Sequence, residues 1–120
     1  MERTVIGMIL LALALAGSET TAQTEPANLK RGQELYEQHC IRCHGVQRDG
    51  LGPEAESLIV PPANFTSARI WIRTDGELFM AISDGVLFSP MHAWRDRLSE
   101  QEIEDIISYL RLSSPFNPIK

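Results

Sequence analysis

Cysteine is almost missing from this chain, with two residues in 120. That excludes a disulfide-stapled scaffold, and a bond between neighbours as close as Cys40 and Cys43 would close too small a loop to stabilise much. A basic excess is missing too: 11 Lys and Arg face 16 Asp and Glu, a formal charge of −5. Nucleic acid, which needs a basic face, is therefore not an expected partner. No apolar run reaches the roughly 20 residues that span a bilayer. The longest, Val5 to Ala16, has twelve. No stretch alternates as a strand would, and nothing is repetitive or low in complexity. A chain of this length is expected to hold one domain.

The N-terminus follows a separate logic. Met1 to Thr4 is a brief, weakly basic start, Val5 to Ala16 is apolar, and Gly17 to Gln23 is small and polar. This is the layout of a secretory signal peptide. Cleavage is expected after Ala22, with Ala16 as the other candidate. The domain plan is then a signal peptide over 1–22, a flexible lead-in over 23–27 and one folded domain over 28–120. The exported chain keeps 10 basic and 14 acidic residues, a charge of −4, which suits a partner with a positive docking patch. The expected location is the periplasm, with membrane association only if the leader is retained.

Both cysteines stand in one run, Cys40-Ile41-Arg42-Cys43-His44. That spacing reads as a covalent attachment site for haem c. Each thiol adds to one vinyl group of the porphyrin. Two intervening residues set both sulfurs on one side of a helical turn, and the next residue offers its imidazole to the iron. A thioredoxin-like dithiol shares Cys-x-x-Cys but opens a helix after an apolar strand, and no strand precedes Cys40. A zinc site needs ligands that wrap the metal tetrahedrally. His39, Cys40, Cys43 and His44 are too close in sequence to do so. Haem is attached outside the cytoplasm, which agrees with the leader.

The rest of the chain reads as helices and turns. Asn28 suits the cap of a first helix with Leu29, Gly32, Leu35, Tyr36 and Cys40 on one face. Gly45 to Ala63 is rich in turn signals, and its Leu58, Ile59 and Val60 are candidates to line a haem edge. Thr74 and Glu77 predict a capping box for a second helix that ends near Gly85, with Leu78, Phe79, Met80 and Ile82 buried. Ser99 and Glu102 predict another for the last helix, whose apolar stripe is Ile103, Ile106, Ile107 and Leu110. The expected fold class is all-α.

A six-coordinate haem needs a distal ligand. Met8 leaves with the leader, Met80 lies among core-facing positions, and His39 is expected to face away from iron held by His44. Met91, in a loop stiffened by Pro90, is the expected ligand, with His92 as its rival. A thioether raises the reduction potential relative to two histidines. With both axial positions filled no site is left for substrate, so electron transfer is expected rather than catalysis.

These residues resemble a class I cytochrome c in its short bacterial monohaem form. Gly32, Tyr36 and Cys40 match that family's first helix, Ile106 and Tyr109 the helix it crosses, and Asp49-Gly50-Leu51-Gly52-Pro53 the loop after the attachment motif. The resemblance implies three to four helices wrapped around one covalently attached haem. It also implies that the Pro53 carbonyl accepts a hydrogen bond from His44 Nδ1. His92 stands where the family often has proline. Trp71, Arg73 and Trp94 are candidates for packing near the haem or its propionates. The implied function is a carrier that exchanges electrons with redox partner proteins. The alternatives are a subunit of a larger periplasmic oxidoreductase and a haem-based sensor.

Overall fold

The first helix, α1 (Leu29–His39), begins where the Asn28 side chain accepts a hydrogen bond from the Arg31 N–H at 3.0 Å. The computed structural model describes residues 26–117, so the expected leader, most of the lead-in and Pro118 to Lys120 lie outside the described residues. After α1 come the one-turn helix α2 (Ile41–His44), a single 3-10 turn at Ala55–Ser57 and a second one-turn helix, α3 (Ala68–Trp71). Two longer helices follow, α4 (Asp75–Ser83) and α5 (Glu100–Arg111). Among the described residues there is no strand, as expected. The sequence carries no clear signal for α3, a single turn that brings Ile70 into the core.

Both predicted capping boxes are present. Thr74 and Glu77 exchange side-chain and backbone hydrogen bonds at the start of α4, and Ser99 and Glu102 do so at the start of α5. Each pair satisfies two N–H groups that a helix start otherwise leaves without a partner.

The helices α1 and α5 cross at Gly32. A Cβ there would lie 2.0 Å from the Asp105 carbonyl oxygen, so only glycine lets the two backbones meet. One turn on, Tyr36 packs against Tyr109 with ring centroids 5.6 Å apart. Ile103, Ile106, Ile107 and Leu110 are all buried, as their spacing predicts. The face of α1 is narrower than predicted: Leu29 is exposed, and only Gly32 and Tyr36 are fully buried. The seam with α5 covers just one strip of α1. The buried side of α4 also needs correction. Leu78 is in the core with Phe79 and Ile82 against it, but Met80 is 57% exposed.

Asp105 ties this crossing to the start of the fold. Its carboxylate accepts from the Asn28 N–H at 2.8 Å and from Gln101 Nε2 at 3.2 Å, and it pairs with the Arg31 guanidinium. At the other end of α5, Arg111 bonds Asp75 at 2.7 Å and the Ser114 carbonyl at 3.0 Å, joining α4 to the C-terminal segment.

Candidate functional site

The Cys40–His44 run forms one tight turn. Cys40 ends α1, its N–H bonded to the Tyr36 carbonyl at 2.8 Å, and its own carbonyl accepts from His44 N–H at 2.8 Å. Both thiols are free and half-buried. Burial pushes the Cys40 thiol up to about 12, with Cys43 beside it adding to the shift. Burial, and then the Glu54 carboxylate 3.9 Å away, also raise Cys43. A dithiol oxidoreductase needs the opposite, a depressed thiol. A zinc site is not supported either: among the described residues no group of three or more His, Cys, Asp and Glu is placed to hold a metal ion.

His44 is held by a carbonyl, but not the expected one. Its Nδ1 lies 3.2 Å from the Ala63 carbonyl oxygen. A carbonyl only accepts, so Nδ1 carries the proton and Nε2 keeps a lone pair for a metal. Burial lowers the imidazole's affinity for a second proton, only partly offset by the Ala63 bond. Pro53 therefore does not take the role the resemblance implied. The Gly52 N–H bonds the Cys43 carbonyl and the Glu54 N–H bonds the Arg42 carbonyl, which lays Pro53, exposed, along the backbone of α2. Gly50, at φ +81°, lets Pro62 and Ala63 come close instead, since a Cβ there would lie 2.8 Å from the Pro62 carbonyl. The Phe65 N–H fixes the loop's return on the Arg48 carbonyl at 2.8 Å, and the Phe65 ring lies 4.9 Å from the His44 ring.

Met91 is set by a loop closed on itself. Its carbonyl accepts from Val86 N–H at 2.9 Å, and its N–H bonds Ser89 Oγ at 3.2 Å. The chain then returns to α4, where the Trp94 N–H reaches the carbonyls of Ile82 and Ser83 at 3.1 Å.

These segments surround one apolar hollow of about 320 Å³ including its open mouth. Cys40, His44, Met91 and Trp94 line it, together with Tyr36, Phe65, Ile82, Leu98, Ile106 and Leu110. Cys43 and Pro53 are not among the lining side chains. His92 is exposed and His39 half-buried, and both rings lie against Trp94, at 4.6 and 5.1 Å, rather than in the hollow. Trp71 and Arg73 also lie outside it; Arg73 pairs with Glu77, and Trp71 Nε1 is a buried donor with no partner among the described residues. Ile59 is 97% exposed, and neither it nor Leu58 or Val60 lines the hollow. The residues present fit a haem: an apolar enclosure, a neutral imidazole, a thioether and two un-ionised thiols on the adjacent turn. The sequence reading missed Phe65 and Leu98 as lining residues, and the Ala63 carbonyl as the partner of His44. Phe65 follows the turn-rich Pro61-Pro62-Ala63-Asn64, a usable signal. A backbone acceptor leaves none.

Comparison with known proteins agrees. A family model described as cytochrome c oxidase, cbb3-type, subunit III, matches residues 27–110. A cytochrome c6-like protein of Nostoc sp. is 26% identical over 107 residues, 86% of each chain. The solved structure of the c-type cytochrome KustC0563 is similar with a TM-score of 0.57 and 27% identity over 69% of this chain and 96% of that one. A chain of the reducing HAO-like protein complex of Kuenenia stuttgartiensis gives a TM-score of 0.63 at 25% identity over 73% of this chain. This protein spans only 43% of that longer chain.

Proposed function

Because the chain belongs to the family described as cytochrome c oxidase, cbb3-type, subunit III, and has the all-α cytochrome c fold, we propose that it is an exported carrier of single electrons. It would hold one haem c covalently through Cys40 and Cys43, with His44 and Met91 as axial ligands, and work in the periplasm. Bound there, the haem supplies a one-electron iron couple. The chain's own residues do the rest. The Ala63 carbonyl orients the His44 ring, the Val86–Met91 loop fixes the thioether, and Phe65, Trp94 and Leu98 give the hollow an apolar wall.

One observation carries this reading: an imidazole and a thioether line the same apolar hollow beside an attachment cysteine, while His92 stays outside. The test is the visible and near-infrared spectrum of the exported protein made with haem-attachment machinery. A covalent haem c spectrum with the methionine–iron charge-transfer band in the oxidised form is expected. Haem c without that band would move the distal role to His92 or leave the position open, as a sensor requires. No haem absorption would end the assignment.

The likeness to a chain of the Kuenenia stuttgartiensis complex supports a second reading, a fixed subunit of a larger oxidoreductase. A free carrier elutes as a monomer from native extracts, whereas a subunit co-elutes with a larger protein.

A further inference from the structure

Among the described residues, two that are not glycine have φ in the left-handed region, Arg48 at +63° and Phe88 at +59°. L side chains are strained there. The Phe88 side chain is 99% exposed. The Arg48 side chain is half-buried and held at two points. Its Nε–H donates to Ser113 Oγ at 2.9 Å, and its guanidinium carbon lies 4.7 Å from the centroid of the Tyr109 ring. A glycine would take the same backbone without strain, so the turn itself does not call for arginine. Among the described residues no carboxylate lies within ion-pair distance of this guanidinium. The neighbouring Asp49 carboxylate accepts from the Leu51 N–H at 2.9 Å instead. The cation stands two rings from the hollow: Tyr109 packs on Tyr36 with centroids 5.6 Å apart, and Tyr36 lines it. Burial, and then Cys40, raise the Tyr36 hydroxyl above its ordinary range, while Arg48 pulls it the other way, so the charge is felt at that wall.

We propose that Arg48 raises the reduction potential of the site through its fixed, unpaired positive charge. This rests on the haem reading above. Reduction removes one positive charge from the iron, so a cation held nearby favours the reduced state. The intervening wall is apolar, which screens the charge less than water would. Stacking suits a guanidinium to this place, because it is weakly hydrated and binds an aromatic face. A second route through Arg48 has the opposite sign. Its carbonyl accepts from the Phe65 N–H at 2.8 Å, in the loop that brings the Ala63 carbonyl to His44 Nδ1. A hydrogen bond to that carbonyl makes the imidazole a stronger donor to the metal, which favours oxidised iron. Loosening the loop would therefore raise the potential, whereas removing the charge lowers it.

The test is redox titration of the haem-loaded protein and three variants. Arg48→Met keeps an apolar stem on Tyr109, Arg48→Gln keeps a donor for Ser113, and Arg48→Lys keeps the charge. The expected result is a lower potential in both neutral variants and a value close to wild type in Arg48→Lys, with the absorption spectrum unchanged in all three. An unchanged potential in the neutral variants would overturn the proposal. A raised one would do so too, and would show that Arg48 acts through the His44 hydrogen bond. A potential as low in Arg48→Lys as in the neutral variants would also overturn it, because the contact and not the charge would then matter. A wild-type protein without haem absorption would instead overturn the cofactor assignment.

Discussion

At Gly32 the chain has no freedom of substitution. A methyl group there meets backbone, the Asp105 oxygen at 2.0 Å and carbon at 2.5 Å, which cannot rotate away. Gly32→Ala should cost about 3 kcal/mol or more in chemical denaturation, the upper range for overpacking. Tyr36 is buried and donates its hydroxyl to the Gly45 carbonyl at 2.7 Å. Tyr36→Phe removes that donor and leaves the acceptor buried, an expected loss of about 1–3 kcal/mol in the same measurement. Met91→Ala should abolish the methionine–iron band and lower the reduction potential by a sizeable fraction of the roughly 0.8 V that axial ligands command. Redox titration checks this, and an unchanged potential would exclude Met91 as the ligand. Phe88 differs from these, because its side chain supports no core. The strain it carries is about 1–2 kcal/mol and glycine's added chain entropy roughly 0.5–1 kcal/mol. Phe88→Gly should therefore leave thermal stability nearly unchanged or slightly raised.

The elements carry different burdens. Helices α4 and α5 are started by reciprocal capping, so Ser99→Ala should cost about 1 kcal/mol without touching the hollow. The two loops do the positioning. Residues 45–65 deliver a carbonyl to His44, and residues 85–94 deliver a thioether to the same space. Where α1 crosses α5, burial pushes the Asp105 carboxyl up, but the Asn28 N–H, Arg31 and Gln101 outweigh it and hold it below the usual range. Its folded-state value thus lies under the unfolded one of about 3.9. The stability it contributes is complete above that value and is lost as the pH falls through the folded one. Acid unfolding below about pH 4 should therefore be shallower in Asp105→Asn than in the wild type, with the variant weaker at neutral pH. Equal acid slopes in the two proteins would remove this role.

On the scale of the whole molecule, the described core is small and one of its walls belongs to the hollow. Tyr36, Trp94, Leu98, Ile106 and Leu110 are both core residues and lining residues. A bound porphyrin would give these side chains a large flat apolar surface to pack on. The double variant Cys40→Ala/Cys43→Ala, exported without attached haem, should keep much of its helical circular dichroism but lose a sharp thermal transition. A cooperative melt equal to that of the holoprotein would show that the fold does not depend on the cofactor.

The sequence by itself determined the all-α class, both capping boxes and the Cys40-Cys43-His44 turn, while the α1–α5 contact through Gly32 and Tyr36 was legible only through the family resemblance. The first three are local: each rests on neighbours in the chain or on a spacing of three or four residues, which a helix converts directly into geometry. Tertiary structure alone decided what long loops bring together. Ala63 reaches His44 from 19 residues away because Gly50 leaves room and Phe65 is tied back to Arg48. Nothing in the residue type of Ala63 announces a carbonyl's direction, which is why Pro53 was expected in its place. Which of Met91 and His92 faces the hollow is likewise not local: Met91 lines it, while the His92 ring lies against Trp94. Met80 faces solvent for the same kind of reason, since an apolar residue in an amphipathic helix is buried only where another element covers it.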